Sequence, residues 1–356
     1  ETIAWPSYEG HAIILSTMEF FIDIFQNLVG QFTNPKKRVF VLYLFLSILI
    51  AAIWLIFHKK KSLKDSIKFI FNPRVFFSKS ATSDYKVFFI NQIIMLLISP
   101  HLLTQITIAT ALYFFFFEIN FLDIGLFAAT PKYIIISLFT LTHFVVDDFS
   151  KYIVHRWMHR WSFLWALHKV HHSATNLTPM TVFRTHPLEG LVFTLRSAFA
   201  QGLTISSFVY LFGGAVDLYT VLGANLFVFL FNVFGSNLRH SHIGIRYWKW
   251  LEYILISPAQ HHLHHSIAKE HYNKNYGAAL AIWDWIFGSL HHSEDTDTLT
   301  LGLGTKDDQK KHSLKELYLI PFIESFNFLK RNFFKLFSFK KMKKNKSEIY
   351  FKKSPQ

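Results

Sequence analysis

The stretch of sequence that decides the fold is residues 147–173, DDFSKYIVHRWMHRWSFLWALHKVHHS. It continues from the apolar segment 133–149, and it places His155 and His159 four residues apart, on one face of the helix that the apolar segment predicts. An HxxHH motif follows, whose i, i+3 and i+4 positions again share a face; its histidines are His168, His171 and His172.

A second HxxHH motif occurs about ninety residues later, at His261, His264 and His265. At the histidine frequency of this chain, one such motif is expected by chance roughly 0.06 times. Eight imidazoles exceed the coordination number of one ion, and the two adjacent histidines that end each HxxHH can point to two neighbouring centres. They therefore indicate two metal ions with positions left open for oxygen. The chain has no cysteine, so His, Asp and Glu must supply the ligands, and imidazole suits Fe, Zn, Cu and Ni alike.

The composition predicts an integral membrane protein. Of 356 residues 51% are hydrophobic and 41 are Phe, and the mean hydropathy is +0.25. Apolar runs long enough to cross a bilayer predict an all-α fold with about four to five transmembrane helices. These runs are 39–57, 87–117, 133–149, 191–212 and 218–237. Pro100 leaves open whether 87–117 crosses once or is re-entrant.

The net charge of +14 orients these helices. The positive-inside rule places the basic segments 58–86, 151–190 and 239 onwards in the cytoplasm, with Lys36–Arg38 outside. The tail 330–356 alternates basic residues with Phe, which favours an anionic lipid surface over nucleic acid, or else a disordered solubilising tail. We expect three regions: N-terminal membrane or interfacial helices (1–130), a catalytic domain (131–295) and a basic amphipathic tail (296–356).

Other polar residues have less specific interpretations. Asp148 lies on the same helical face as His155, where it could orient that imidazole through its other N–H or simply meet water. Isolated histidines in apolar segments are expected to be packed residues, and those in polar segments to be ordinary surface residues. The first class comprises His11, His58, His101 and His143, and the second His271, His291, His292 and His312.

Five segments of the chain resemble the fatty acid hydroxylase superfamily and, within it, the sterol-desaturase-like branch. They are the stretch 147–173, FRTHPLE (183–189), RHSHI (239–243), QHHLHHS (260–266) and WDWIFGS (283–289). The resemblance covers about 147–290. It implies a cytosol-facing helical cap that holds two iron ions, with zinc as an alternative in purified protein. The residues that match the family's ligand positions are His155, His159, His168, His171, His172, His240, His261, His264 and His265.

Three further histidines match the family only in part. His262 stands where a basic residue is common and is not expected to be a ligand. His242 stands where Asn is common, and His186 lies in the HPLE segment; each is either a ligand or an outer partner.

The resemblance implies O2-dependent hydroxylation or desaturation of a membrane lipid, such as a sterol, a fatty acyl chain or an ether lipid. The sequence shows no motif for a bound redox cofactor, so electrons are expected from a separate donor, a ferredoxin or a cytochrome b5-like protein. The active site is expected to face the cytoplasm, at a bacterial inner membrane or the ER. Three other classes of protein fit less well. A zinc-dependent membrane hydrolase normally needs a Glu general base, and the sequence has no HExxH motif. A metal transporter would have its ligands mid-span, and a lipid-binding relative with a decayed site would not keep all three histidine motifs intact.

Overall fold

The structure is a computed structural model that describes residues 8–120, 122–216, 230–304 and 312–332. Within these ranges the chain is helical, with two isolated bridges and no strand, which confirms the all-α prediction. The main helices are α1 (Tyr8–Thr33), α2 (Val41–Phe57), α3 (Leu63–Ile70), α4 (Pro73–Phe76), α5 (Lys79–Ile98), α6 (Gln105–Ile119), α7 (Lys132–Arg160), α8 (Ser162–His172), α9 (Pro187–Phe212), α10 (Pro258–His264) and α11 (Ile282–Ile286). Shorter turns connect them, among them 3-10 turns at Pro179–Phe183 and Lys269–His271 and a π-helical segment at Asn232–Ser236.

Two helical stretches in the described part of the chain are long and apolar enough to cross a membrane: Lys79–Ile119 and α7. The first consists of α5 and α6 joined by a 3-10 turn at Ser99–His101, which contains Pro100. α6 packs along α9, and both alternatives for 87–117, a single crossing and a re-entrant hairpin, remain predictions. The count of four to five spans remains a prediction, since most of 218–237 lies outside the described residues.

α2 is shorter than these two stretches, and the histidine-bearing part of the chain holds it at both ends. Before the helix, the Asn237 amide donates to the backbone carbonyl of Arg38 at 2.9 Å. Beyond it, Lys59 pairs with Asp297 at 2.8 Å. The topology that places Lys36–Arg38 on the opposite side of the membrane from the histidines is therefore wrong.

The two sides of α2 differ in their surroundings. Ala51 and Leu55 are buried against Leu238, Ile243 and Ile245. The opposite side is an exposed apolar stripe with i, i+4 spacing, made of Val41, Phe45, Leu49, Ile53 and Phe57. α2 thus packs along the 238–245 segment, and its outer side offers lipid an apolar surface.

The N-terminal helices pack closely against the histidine-bearing part. α6 runs along α9, α5 contacts the Pro179–Phe183 turn, and α2 contacts the Asn232–Ser236 segment. The boundaries at 130 and 295 remain predictions. The basic tail beyond 332 lies outside the described residues.

Candidate metal centre

α7 and α8 present the first five histidines. α7 runs without a break from apolar residues into its polar end and carries His155 and His159 there. Trp161 interrupts the helix with an extended backbone (ψ 117°), and α8 begins at the next residue. This sharp turn folds α8 back, so that its histidines face those of α7.

The second HxxHH motif lies on α10, whose start is fixed by a capping box. Ser257 accepts from the Gln260 backbone N–H at 3.1 Å, and the Gln260 side chain accepts from the Ser257 N–H at 2.9 Å. Pro258 occupies the first turn, where a missing N–H costs nothing. These local preferences define the helix that carries His261 and His264.

Five imidazoles form one cluster, the five-histidine group: His155, His159, His168, His172 and His264. One candidate ligand atom from each lies within 4.8 Å of all the others. The Nε2 atom of His155 is 3.1 Å from that of His168 and 3.1 Å from that of His264.

Four more imidazoles form the four-histidine group: His171, His240, His261 and His265. The Nε2 atom of His240 lies 3.1 Å from that of His171 and 2.9 Å from that of His261, and Nε2 of His265 lies 3.1 Å from that of His261. The two groups adjoin, because the rings of His172 and His265 stack with centroids 4.5 Å apart.

Neighbouring histidines in the chain are divided between the groups. His171 belongs to the four-histidine group and His172 to the five-histidine group, and His265 and His264 divide in the same way. Their rings stand nearly perpendicular, at 90° and 89°. This is the arrangement that the two adjacent histidines of each HxxHH motif were expected to adopt.

Burial keeps these rings neutral. It lowers the pKa of His264 to about 3, and it places the pKa values of His171, His172, His261 and His265 well below the usual range. Neighbouring imidazoles add to the same effect. Each ring therefore keeps a lone pair, which is the form that ligates a metal.

The donor geometry fits metal ions. For an octahedral ion with metal–nitrogen bonds of about 2.1 Å, neighbouring ligand atoms lie about 3 Å apart. The Nε2 separations of 2.9–3.1 Å match this value. The Nε2 atoms of His159 and His172 are buried without a hydrogen-bond partner, which is costly unless a cation accepts their lone pairs.

Three rings of the five-histidine group are oriented through their other nitrogen. Nδ1 of His155 donates to the Tyr276 carbonyl at 2.7 Å, and Nδ1 of His264 to the Lys274 carbonyl at 2.7 Å. Nδ1 of His168 donates to the Glu189 carboxylate, also at 2.7 Å, and both of these side chains are buried. Such partners fix the tautomer that leaves Nε2 free and raise the basicity of the ring.

Glu189 was missed at the sequence level, where only His186 of the same HPLE segment was singled out. His186 points elsewhere: its Nε2 lies 3.0 Å from the Tyr318 carbonyl, and its Nδ1 accepts from the Leu188 N–H. One signal in the sequence could have identified Glu189: it is an acidic residue in the first turn of a helix whose neighbouring residues are mostly apolar.

Asp148 does not orient His155. Its carboxylate accepts from the backbone N–H groups of Ala279 and Leu280 at 2.9 and 3.1 Å, and from the Trp283 indole at 2.9 Å. The residue therefore ties α7 to the segment before α11, close to the Tyr276 carbonyl that receives the His155 proton.

His242 and His262 lie outside both groups. Nε2 of His242 donates to the Phe69 carbonyl at 2.8 Å, and its ring contacts Phe69 and Phe76. His262 is buried and its Nε2 has no hydrogen-bond partner; burial lowers its pKa to about 4. His242 is thus a packed residue and not a ligand in this arrangement.

The four-histidine group has cationic neighbours. Nη2 of Arg38 lies 2.9 Å from Nδ1 of His240, and burial lowers the pKa of nearby Arg239 to about 10. Since a guanidinium only donates, His240 accepts at Nδ1, and a neutral ring then carries its proton on Nε2. Ligation by His240 through Nε2 therefore requires Arg38 to turn fully to its other acceptor, the Ser236 carbonyl.

One cavity opens onto grouped histidines, and a second lies along a segment that carries one of them. A polar cleft of about 240 Å³ opens onto His159, His172 and His264. An almost wholly apolar groove of about 330 Å³ lies between α2 and the segment 237–243, which carries His240.

A helical chain with two adjoining groups of clustered imidazoles has the architecture expected of a histidine-ligated two-metal protein. Residues 140–289 match the family model for fatty acid hydroxylase, and all nine grouped histidines fall in that range. This part of the chain is thus similar to fatty acid hydroxylase domains.

Several curated proteins are similar to the chain and agree with the branch that the sequence resembles. Ornithine lipid hydroxylase OlsE of Rhizobium tropici is 31% identical over 46% of this chain and 44% of its own. Delta(7)-sterol 5(6)-desaturase ERG3 of Candida albicans is 30% identical over 51% and 42%, and alkylglycerol monooxygenase of Homo sapiens is 31% identical over 41% and 29%. The chain thus spans less than half the length of these relatives. No solved structure matches it significantly.

Proposed function

We propose that the protein is an O2-dependent di-iron oxidoreductase that hydroxylates or desaturates a membrane lipid. The observation that carries the proposal is the sorting of nine imidazoles from separated segments into two adjoining groups. The relatives named as hydroxylases, desaturases and a monooxygenase support the reaction class. Two bound iron ions would supply the reduction of O2 and the oxidation of an unactivated C–H bond.

The five-histidine group would hold one ion and the four-histidine group the other. The imidazole rings would supply nitrogen donors without adding negative charge to the centre. Glu189 and the carbonyls of Lys274 and Tyr276 hold three rings in the ligating tautomer. Imidazole donors suit iron and zinc alike, and the choice of iron rests on the reaction class of the similar proteins.

The lipid chain would occupy the apolar groove beside α2. Ile48, Ala51, Ile70 and Met180 line it, and Ser241 and His242 border it next to His240. A groove of this composition holds an acyl chain or a sterol ring system by burial of apolar surface and orients the reacting carbon. The exposed apolar stripe of α2 supports entry from the bilayer.

Electrons would come from a separate acidic protein. Lys60, Lys61, Lys68 and Arg74 surround a concave surface with Phe69 among its lining residues. The carbonyl of Phe69 accepts from His242, two residues beyond His240. A cationic concave surface joined in this way to the metal centre suits a ferredoxin or a cytochrome b5-like donor. The site would face the cytoplasm, where basic segments collect.

A zinc-dependent hydrolase would use the same histidines but needs a general base beside the metal. None of the described residues that line the polar cleft is acidic. The carboxylate nearest the rings, Glu189, is engaged by His168. The cleft therefore favours the oxidoreductase.

The test compares lipid extracts from aerobic cells that make the wild-type chain or its His171→Ala variant, by untargeted mass spectrometry. We expect a product that differs from its precursor by one oxygen or two hydrogens, absent in the variant. His58→Ala is the control, since His58 stacks on Trp54 outside both groups. Identical lipidomes, or purified protein that retains zinc and hydrolyses lipid esters, would refute the proposal.

A further inference from the structure

A third group of ligating side chains lies outside the two histidine groups. His271, His291 and Glu294 bring one candidate ligand atom each to within 4.8 Å of one another. The Glu294 carboxylate is 4.0 Å from Nε2 of His271 and 3.8 Å from Nε2 of His291, and the two rings stand at 80° with centroids 5.3 Å apart. Both histidines looked like ordinary polar-segment residues in the sequence.

His271 is the unusual member. Its side chain is 3% exposed, and neither ring nitrogen has a hydrogen-bond partner. Burial of a polar group without a compensating interaction is costly, so a side chain in this state indicates a ligand. One of its nitrogens faces Glu294 across a gap too long for a hydrogen bond.

His291 presents a free lone pair towards the same carboxylate, Glu294. Its Nδ1 donates to the His292 carbonyl at 2.9 Å, which leaves the lone pair on Nε2, the atom that faces Glu294. Glu294 lies at the surface with 58% of its side chain exposed, so it can close on an ion without disturbing packed residues.

From this geometry we infer that His271, His291 and Glu294 form a separate mononuclear site for a zinc-type divalent cation. Two imidazoles and one carboxylate are a three-ligand zinc set, with the remaining position left to water. In a tetrahedral site the ligand atoms would lie about 3.4 Å apart, so the Glu294 oxygens need to move by less than about 1 Å.

The ion would brace the loop beneath α10. The backbone N–H of His291 donates to the Asn275 side chain at 2.8 Å, and its carbonyl accepts from Gln260 at 3.2 Å. Gln260 precedes His261 directly, and Asn275 donates to the Gln260 carbonyl at 3.1 Å. The third site therefore closes the 271–291 loop onto the helix that carries the second HxxHH motif, and its role is structural.

The inference does not depend on the reaction proposed above, and its test counts metal only. The full chain in detergent is dialysed against Zn²⁺, and bound metal per chain is measured by mass spectrometry for wild type, Glu294→Gln and His271→Gln. We expect each variant to bind one equivalent fewer than wild type, and Glu294→Gln to lose part of the zinc-dependent rise in melting temperature.

Asp295→Asn is the matched control, because it removes the adjacent carboxylate, which pairs with Lys59. If His271→Gln fails to fold, Glu294→Gln decides alone, since that side chain is exposed. Equal metal content in wild type and Glu294→Gln would overturn the inference, whatever the occupancy of the two histidine groups.

Discussion

Replacement of Glu189 by Gln isolates the contribution of one buried carboxylate to metal binding. Glu189 is 2% exposed and accepts from Nδ1 of His168 at 2.7 Å. The amide oxygen of Gln can still accept this hydrogen bond, but its negative charge is gone. His168 therefore keeps its orientation and loses basicity as a ligand.

The magnitude follows from this contact. A hydrogen bond to a charged group contributes about 1.5–3 kcal/mol and one between neutral groups about 1 kcal/mol, so the substitution removes about 0.5–2 kcal/mol. Because about 1.4 kcal/mol is a factor of ten in an equilibrium constant, metal affinity of the five-histidine group is expected to fall about two- to thirtyfold.

The assay is chelator competition on the anaerobic, metal-loaded chain, with retained metal measured per chain. Glu324→Gln is the matched control: Glu324 pairs with Lys169, the neighbour of His168 on α8, and touches no grouped ring. If Glu189→Gln retains metal at the same chelator concentrations as wild type, or if Glu324→Gln loses as much, the assignment of Glu189 is wrong.

Three further outcomes are expected. Gly277→Ala places a Cβ 2.5 Å from the Leu280 carbonyl oxygen and is expected to cost about 1–3 kcal/mol of stability, measured as a lower melting temperature. Gly214→Ala is the control, because open space surrounds that position and the melting temperature is expected to stay unchanged. Asp148→Asn replaces one carboxylate oxygen by an amide NH2, which then faces either the Ala279 N–H or the N–H groups of Leu280 and Trp283. It is expected to cost about 1–3 kcal/mol of stability, measured as a lower melting temperature. The pKa of His264 is about 3 in the folded chain and 6.5 ordinarily, so between these pH values the unfolded chain binds more protons than the folded chain. The metal-free protein is therefore expected to lose stability as the pH falls below about 6.5. Thermal melts across about pH 4–8 that show no such loss would contradict this prediction.

The sequence predicted eight of the nine grouped histidines because their spacing is local, whereas His240 followed only from the resemblance to a family. The i, i+3 and i+4 positions of α8 and α10 share a helical face whatever surrounds them. That regularity was sufficient to identify His168, His171 and His172 as residues that converge, and the fold then brought them to the second motif. The pairing of distant segments could be expected only from the resemblance to a family.

The outer partners could not be predicted, since each is a contact between remote segments. Asp148 lies on the expected face of α7, yet its acceptors are filled by backbone N–H groups 131 and 132 residues away. Arg38 reaches His240 across 202 residues. Helical periodicity shows which face a side chain occupies, but not which segment covers that face.

α2 shows a second limit of prediction from sequence, which concerns hydropathy. Seventeen apolar residues between lysines satisfy the composition of a membrane span. The tertiary structure fixes both of its ends to the histidine-bearing segments and buries one side of it there. An apolar surface contributes equally to hydropathy whether it contacts lipid or protein. Hydropathy alone therefore cannot distinguish a membrane-spanning helix from an apolar helix that packs against the rest of the protein.

The division of neighbouring histidines between the two groups has a consequence for how the centre gains and loses its ions. Consecutive Cα atoms are about 3.8 Å apart, so covalent geometry at His171–His172 and again at His264–His265 fixes the separation of the two coordination spheres. A displacement of α8 from α10 would remove imidazole ligands from both the five-histidine group and the four-histidine group, and it could not release the ion of one group alone. Uptake and release of the pair are therefore coupled, and a chain with a single ion is expected to be a minor species at partial loading.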